Sequence, residues 1–249
     1  MRKYVQKSLP FCAIFGAILI LAACQDLPVS PWGGEISVMA KVQGAASSTA
    51  FVAGSDSSLP VVDSIKIIRA RFVLERIQFV QSGDSSEFKT TPFVFQPNLT
   101  GSMQEILVAG LKYGTYSRVK FKVHRLSVTD FDSIPSDQQP LFADFVAGDQ
   151  YSAIIEGLYY QGGQGPQPFT YRSKIDAEEQ FGLTAPLVLS EESTTASVTM
   201  TMSPSFWFKD TRRGLLDPTD PANRNEIDRS LRESIMVYKD CNKDGAPDL

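Results

Sequence analysis

Along most of the chain, apolar and polar residues alternate with a period of two, which is the pattern of strands with one buried face. Ile36, Val38, Ala40 and Val42 alternate with Glu35, Ser37, Met39 and Lys41. Residues 44–58, rich in Ala, Ser and Gly, read as a loop. Residues 62–80 change phase: Ile65 and Ile67 share one parity, Ile68, Ala70, Phe72 and Leu74 the other, and Ile77 and Phe79 return. Such a slip predicts a bulge, or two strands joined by a bend. After a turn at residues 82–86, residues 87–95 form an aromatic strand interrupted by Pro92. Ile106 and Val108 lead to a turn at residues 110–116, and Val119, Phe121 and Val123 then alternate with Lys120, Lys122 and His124. Further strands are predicted at residues 143–146, 151–160, 169–175, 181–189 and 196–202, with the loosest loop at residues 161–168. Eight or more strands separated by turns, without helical crossovers, favour an all-β sandwich over a parallel α/β sheet.

One helix is expected near the end of the chain. Asp220 suits an N-cap and Pro221 the first helical position. Ile227, Leu231, Ile235 and Tyr238 then fall on one helical face, expected to dock near Phe206, Trp207 and Phe208, with Asp228–Arg232 and Arg229–Glu233 pairing on the surface. The chain therefore divides into a leader (1–23), a tether (24–33), a sandwich (34–208), and a helix with an acidic tail (209–249).

Leu111-x-x-Gly114-x-Tyr116 resembles the tyrosine corner of Greek-key β-sandwiches, where a tyrosine near a strand start bonds back to upstream backbone. This resemblance implies a Greek-key sandwich of immunoglobulin-like or transthyretin-like type, with Tyr116 as a structural residue.

Composition narrows the function. The 249 residues are 43% hydrophobic and 21% charged, with a net charge of −4, which argues against a nucleic-acid partner. The first 23 residues hold Arg2, Lys3 and Lys7 and no acid, so removing these three from the 24 Lys and Arg leaves 21 against 28 acids, a net −7. The apolar run at residues 11–21 is shorter than the ~20 residues a spanning helix needs, and its flanks are those of a secretory signal peptide. Leu21-Ala22-Ala23-Cys24 resembles the bacterial lipobox. It implies cleavage before Cys24, acylation of its thiol, and anchorage of the body to a bilayer of the bacterial cell envelope, the outer membrane being favoured. Acyl chains supply about 0.8 kcal/mol per buried methylene, so more than one holds a protein stably. Pro28 and Pro31 keep the following tether extended. Losing Cys12 and acylating Cys24 leaves Cys241 as the remaining thiol, with no intramolecular disulfide.

Candidate chemistry is sparse. His124 is the single imidazole and sits on the polar parity of its strand, expected to be exposed and without an acid beside it. Glu75, Asp144 and Glu156 are the carboxylates that carboxylate-only hydrolysis would need to bring together. Tyr159, Tyr160, Phe169 and Tyr171, beside the Gly- and Gln-rich loop, are candidates for a sugar-stacking platform or for core packing. Asp240-Cys241-Asn242-Lys243-Asp244-Gly245 resembles the start of an EF-hand or dockerin calcium loop, implying calcium ligands at Asp240, Asn242, Asp244, the Ala246 carbonyl and Asp248. It stops short of the bidentate glutamate, so Asp210, Asp217 or Asp220 would have to complete the shell; a solvated tail with Asx turns is the alternative.

Leader, turn–strand and tail together resemble bacterial lipoproteins built on one β-sandwich. The favoured reading is a non-catalytic, membrane-tethered module that binds a glycan or protein partner or serves as an envelope part. A carboxylate-dependent hydrolase, and an accessory subunit offering a sheet edge to an envelope assembly, are the alternatives.

Overall fold

The computed structural model describes residues 33–44, 47–49, 62–81, 90–211 and 214–248. Cys24 and the leader lie outside the described residues. The architecture is all-β in two sheets with a helix near the C-terminus. The strands are β1 (Gly34–Val42), β2 (Ser47–Thr49), β3 (Val62–Gln81), β4 (Phe93–Phe95), β5 (Gln104–Leu111), β6 (Gly114–Val123), β7 (Ala153–Gln161), β8 (Gln167–Ser173), β9 (Ala177–Leu189), β10 (Thr195–Met202) and β11 (Ile235–Lys239). The helices are α1 (Val128–Ser133), α2 (Gln139–Val146) and α3 (Arg224–Glu233). One sheet runs β11-β10-β1-β5, with β1 and β10 parallel; the larger runs β8-β7-β3-β6-β9, with β2 and β4 paired to β3.

The phase change in residues 62–80 is a set of bulges in one 20-residue strand. β3 shifts register against β7 between Ile67 and Arg69 and against β6 between Leu74 and Arg76. Each extra residue flips the side chains that follow it to the other face. Ile65, Ala70, Phe72, Leu74, Ile77 and Phe79 thus join the main core between the sheets.

Two helices stand where the alternation pattern predicts no helix. Residues 143–146, expected as a strand, form the end of α2. Phe142 and Phe145, three apart, share its buried face and pack with Val73, Leu126, Ile134 and Ile154 in a second core on the outer side of β3 and β7. Ser127 and Asp130 form a capping box at α1: the Asp130 amide donates to Ser127 Oγ (3.1 Å) and the Ser127 amide to Asp130 Oδ2 (3.0 Å).

The C-terminal helix is shorter than its apolar spacing implies. Asp220 caps a 3-10 turn, Pro221–Asn223, through the Ala222 amide (2.8 Å), and α3 follows. Ile227 and Leu231 are buried as expected, but Ile235 and Tyr238 belong to β11. Buried Ile235 and Val237 there flank exposed Met236, a period-two pattern that competes with the helical one. Arg229 faces Glu233 (3.8 Å), whereas Arg232 pairs with Glu179 (2.8 Å) rather than Asp228. Trp207, fully buried, donates from Nε1 to Ser234 Oγ (2.8 Å), which donates to the Leu231 carbonyl (2.7 Å). The indole thereby ties the end of α3 to the sandwich, and its ring meets Phe72 edge-on at 5.6 Å.

Tyr116 holds the crossing from β5, in the smaller sheet, to β6, in the larger. Its ring is fully buried and its hydroxyl donates to the Lys112 carbonyl at 2.7 Å. Tyr116→Phe removes that bond and leaves the ring in place, so denaturant unfolding should show a loss of about 0.5–1.5 kcal/mol; an unchanged midpoint would mean the hydroxyl does not hold the corner.

Candidate functional site

An open cleft of about 480 Å³ lies where the edge strand β8 meets the loop before β7 and the first turn of α3. Alternation along β8 explains its wall. Phe169, Tyr171 and Ser173 point inward and are buried, while Thr170 and Arg172 face outward. Lys174 continues the outward parity and pairs with Asp149 (3.0 Å), joining the end of β8 to the loop after α2. That loop turns sharply: Gly148 has φ 74° and Gln150 φ 61°, the left-handed region. Its Tyr151 amide donates to the Phe145 carbonyl at 2.7 Å. The turn delivers the Tyr151 ring beneath Arg172, whose guanidinium carbon is 5.8 Å from the ring centre. On the other side, Arg224 opens α3, donates from Nη1 to the Arg172 carbonyl (3.1 Å) and lies 6.0 Å over the Tyr171 ring. The Tyr171 hydroxyl donates to Asp228 Oδ1 at 2.7 Å; burial, reinforced by this carboxylate, pushes its ionisation well above the ordinary phenol range. Three cations and the carboxylate of Asp149 therefore line the cleft of a chain whose net charge is −4.

The sequence reading missed this cleft. The available signal was the outward pair Arg172, on β8, and Lys174, just after it; Arg224, 52 residues beyond Arg172, reaches it through folding alone. The aromatic platform is not formed as a surface. Tyr159, Phe169 and Tyr171 are buried in the main core, with Phe169 and Tyr171 packed edge-on against Phe208, and Tyr160 alone of the four is half-buried.

His124 is also placed differently from the expectation. It is largely buried and ringed by acids: Nε2 lies 2.9 Å from Asp130 Oδ2, and Nδ1 3.3 Å from Glu75 Oε2 and 3.7 Å from Asp176 Oδ1. Acids remote in sequence reach it because β3 pairs with β6 and α1 folds back over the strand end. Lys122 Nζ shares Glu75 (2.7 Å) and Asp176 (3.3 Å). Desolvation works against its charge, yet these two carboxylates prevail and raise its pKa. Burial likewise opposes ionisation of Asp130, but hydrogen bonds from Ser127 and His124 bring its pKa down to about 2. The Ser127 hydroxyl donates to Asp130 and not to the imidazole, so the trio lacks the serine-to-histidine contact of an activated nucleophile.

Glu75 is thus separated from the other two candidate acids. Asp144 and Glu156 do meet, on the guanidinium of Arg71 at 2.8 and 3.6 Å, with Arg71 over the Phe145 ring at 5.5 Å. The two acids thus face a shared guanidinium rather than an open space between them, so they serve as ion-pair partners of Arg71.

The acidic tail is folded and internally bonded. Asp240 is fully buried; its Oδ2 accepts from the Thr199 hydroxyl (2.6 Å) and the Gly245 amide (3.0 Å), and its Oδ1 from the Asp244 amide (3.1 Å). Asp244 accepts from Asn242 Nδ2 (2.9 Å) and the Ala246 amide (2.8 Å), and Asp248 from the Cys241 amide (2.8 Å). Gly245 sits at φ 80° against Lys41, and its carbonyl accepts from the Tyr238 hydroxyl (2.8 Å). Asp210, Asp217 and Asp220 cap their own turns through Gly214, Thr219 and Ala222. Among the described residues, no group of three or more His, Cys, Asp or Glu is placed to hold a metal ion.

Compared with protein-family models, curated proteins and solved structures, the chain matches none.

Two outcomes follow from this chemistry. Asp240→Ala strands a buried hydroxyl and two amides, so unfolding should show a loss of roughly 3 kcal/mol, the scale of bonds to a buried charged group; a neutral result would mean the tail is not docked. The depressed Asp130 pKa contributes stability that is complete above the ordinary carboxylate pKa near 3.8 and lost as pH falls towards 2. Unfolding midpoints measured from pH 5 to pH 2 should therefore fall less steeply in Asp130→Asn than in the parent.

Proposed function

We propose that the chain is a lipid-tethered, non-catalytic binding module of the bacterial cell envelope, carried by acylated Cys24 and presenting its sandwich to a glycan or protein partner in the periplasm or at the cell surface. The observation that carries this reading is the run Leu21-Ala22-Ala23-Cys24 after a basic and apolar leader, followed within ten residues by the first strand of the sandwich. A tether that short keeps the module close to its membrane: ten extended residues reach at most about 35 Å. Among the described residues no helix is long and apolar enough to cross a membrane. Binding is favoured over hydrolysis because Asp144 and Glu156 are both engaged by Arg71, and Glu75 by Lys122. Greek-key connectivity of the immunoglobulin-like or transthyretin-like kind remains part of the proposal, supported by the bonded Tyr116 at the sheet crossing.

Mass spectrometry of the mature N-terminus should find a cysteine carrying acyl chains, and Cys24→Ser should move the protein from the membrane fraction to the soluble one. Retention of the serine variant in the membrane fraction would sink the anchor.

A further inference from the structure

We propose that the cleft between β8 and the start of α3 is a binding site for an acidic saccharide, whose carboxylate or phosphate is held by Arg172, Arg224 and Lys174. The inference rests on the reading of the chain as a binding module and specifies its ligand.

The two guanidinium groups are prepared for an anion in the same way. Each lies over a tyrosine ring, Arg172 on Tyr151 and Arg224 on Tyr171, at 5.8 and 6.0 Å. Stacking restrains the planar group while leaving N–H donors free along its edge, the arrangement that takes an oxyanion in two parallel bonds. Arg224 spends one nitrogen on the Arg172 carbonyl and keeps other donors. Neither arginine has a carboxylate at ion-pair distance among the described residues. The contrast with Arg69, Arg71, Arg76, Arg229 and Arg232 is direct, since each of those faces a glutamate or aspartate. Arg118 and Arg125 also lack an ion pair among the described residues, but Arg172 and Arg224 converge on one cleft, where two guanidinium groups together make a local positive field.

The rest of the lining selects a polar ligand. Thr170 adds a hydroxyl to the lining, Thr219 a hydroxyl oxygen whose proton goes to Asp217, and Asp149 a carboxylate shared with Lys174, matching the donors and acceptors of sugar hydroxyls. No large exposed aliphatic side chain lines the cleft; the exposed Phe206, Met236 and Leu141 lie outside it. At about 480 Å³ the cleft is of small-ligand size, fitting a short stretch of saccharide rather than a folded surface.

The test is titration calorimetry on the mature, lipidated protein in neutral detergent micelles. The probes are an oligogalacturonate, the same oligomer with its carboxylates methyl-esterified, a phosphorylated oligosaccharide, and polyglutamate. Binding of the galacturonate or of the phosphorylated sugar is expected, and which of the two binds identifies the anion. Esterification, Arg172→Gln and Arg224→Gln should each weaken binding about tenfold, the scale of one charge-assisted bond. Melting temperatures of both variants should stay unchanged, because these side chains are exposed. Equal binding of the ester, undiminished binding by either variant, or polyglutamate binding as tightly as the saccharide would each overturn the proposal. So would no binding of either acidic saccharide, and that outcome leaves the tethered module standing, since acylation of Cys24 is read independently.

Discussion

From Ala70 onward the twenty-residue strand β3 is largely buried on both of its faces, and most of the molecule is arranged to cover it. Its inner face meets the smaller sheet through Phe72, Leu74, Ile77 and Phe79; its outer face meets α1 and α2 through Val73. Between those apolar positions stands Arg71, exposed by only 7%. A charge so placed is costly unless paired. Asp144 from α2, Glu156 from β7 and the face of Phe145 supply the partners. The same guanidinium therefore fixes α2 against the sheet, and losing it would leave both the helix and two carboxylates without their common contact.

The docking of α2 has consequences at the cleft. The chain leaving that helix must return to the start of β7, and it does so through a tight turn with Gly148 and Gln150 in the left-handed region. That turn sets Tyr151 under Arg172 and Asp149 beside Lys174. The opposite wall depends on α3, which is tied to the core by the Trp207–Ser234–Leu231 chain of hydrogen bonds. The candidate ligand site thus lies where two separately anchored helical segments converge on one edge strand, so its cations are set on a rigid frame and their ordering cost is met largely by folding.

The tail illustrates how one motif serves two physical ends. Alternate oxygen-bearing residues around a glycine curl a loop inward whether the centre is a cation or a set of backbone amides. Here the amides of Asp244 and Gly245 and the Thr199 hydroxyl converge on Asp240, and the loop after β11 is fastened to the middle of β10. A short acidic motif specifies the turn more securely than it specifies the occupant.

Local pattern by itself determined most of the strands, though not that residues 143–146 are helix or that β11 is a strand; it also determined the bulged phase change in β3, the bonded Tyr116 and the start of a C-terminal helix, because each depends on residues within a few positions of one another. The sequence reading found neither α1, with its Ser127-x-x-Asp130 capping box, nor α2, since both helices are short and their apolar residues match strand and helix spacing alike. Tertiary structure alone decided which side of β3 needed covering, and hence that Phe142 and Phe145 should lie on a helix. It also decided that Ile235 would extend a sheet rather than a helix, because pairing with β10 satisfies its backbone. The acids around His124 and the three cations of the cleft come from segments tens of residues apart. Period and propensity carry no record of such meetings; strand pairing and helix docking create them.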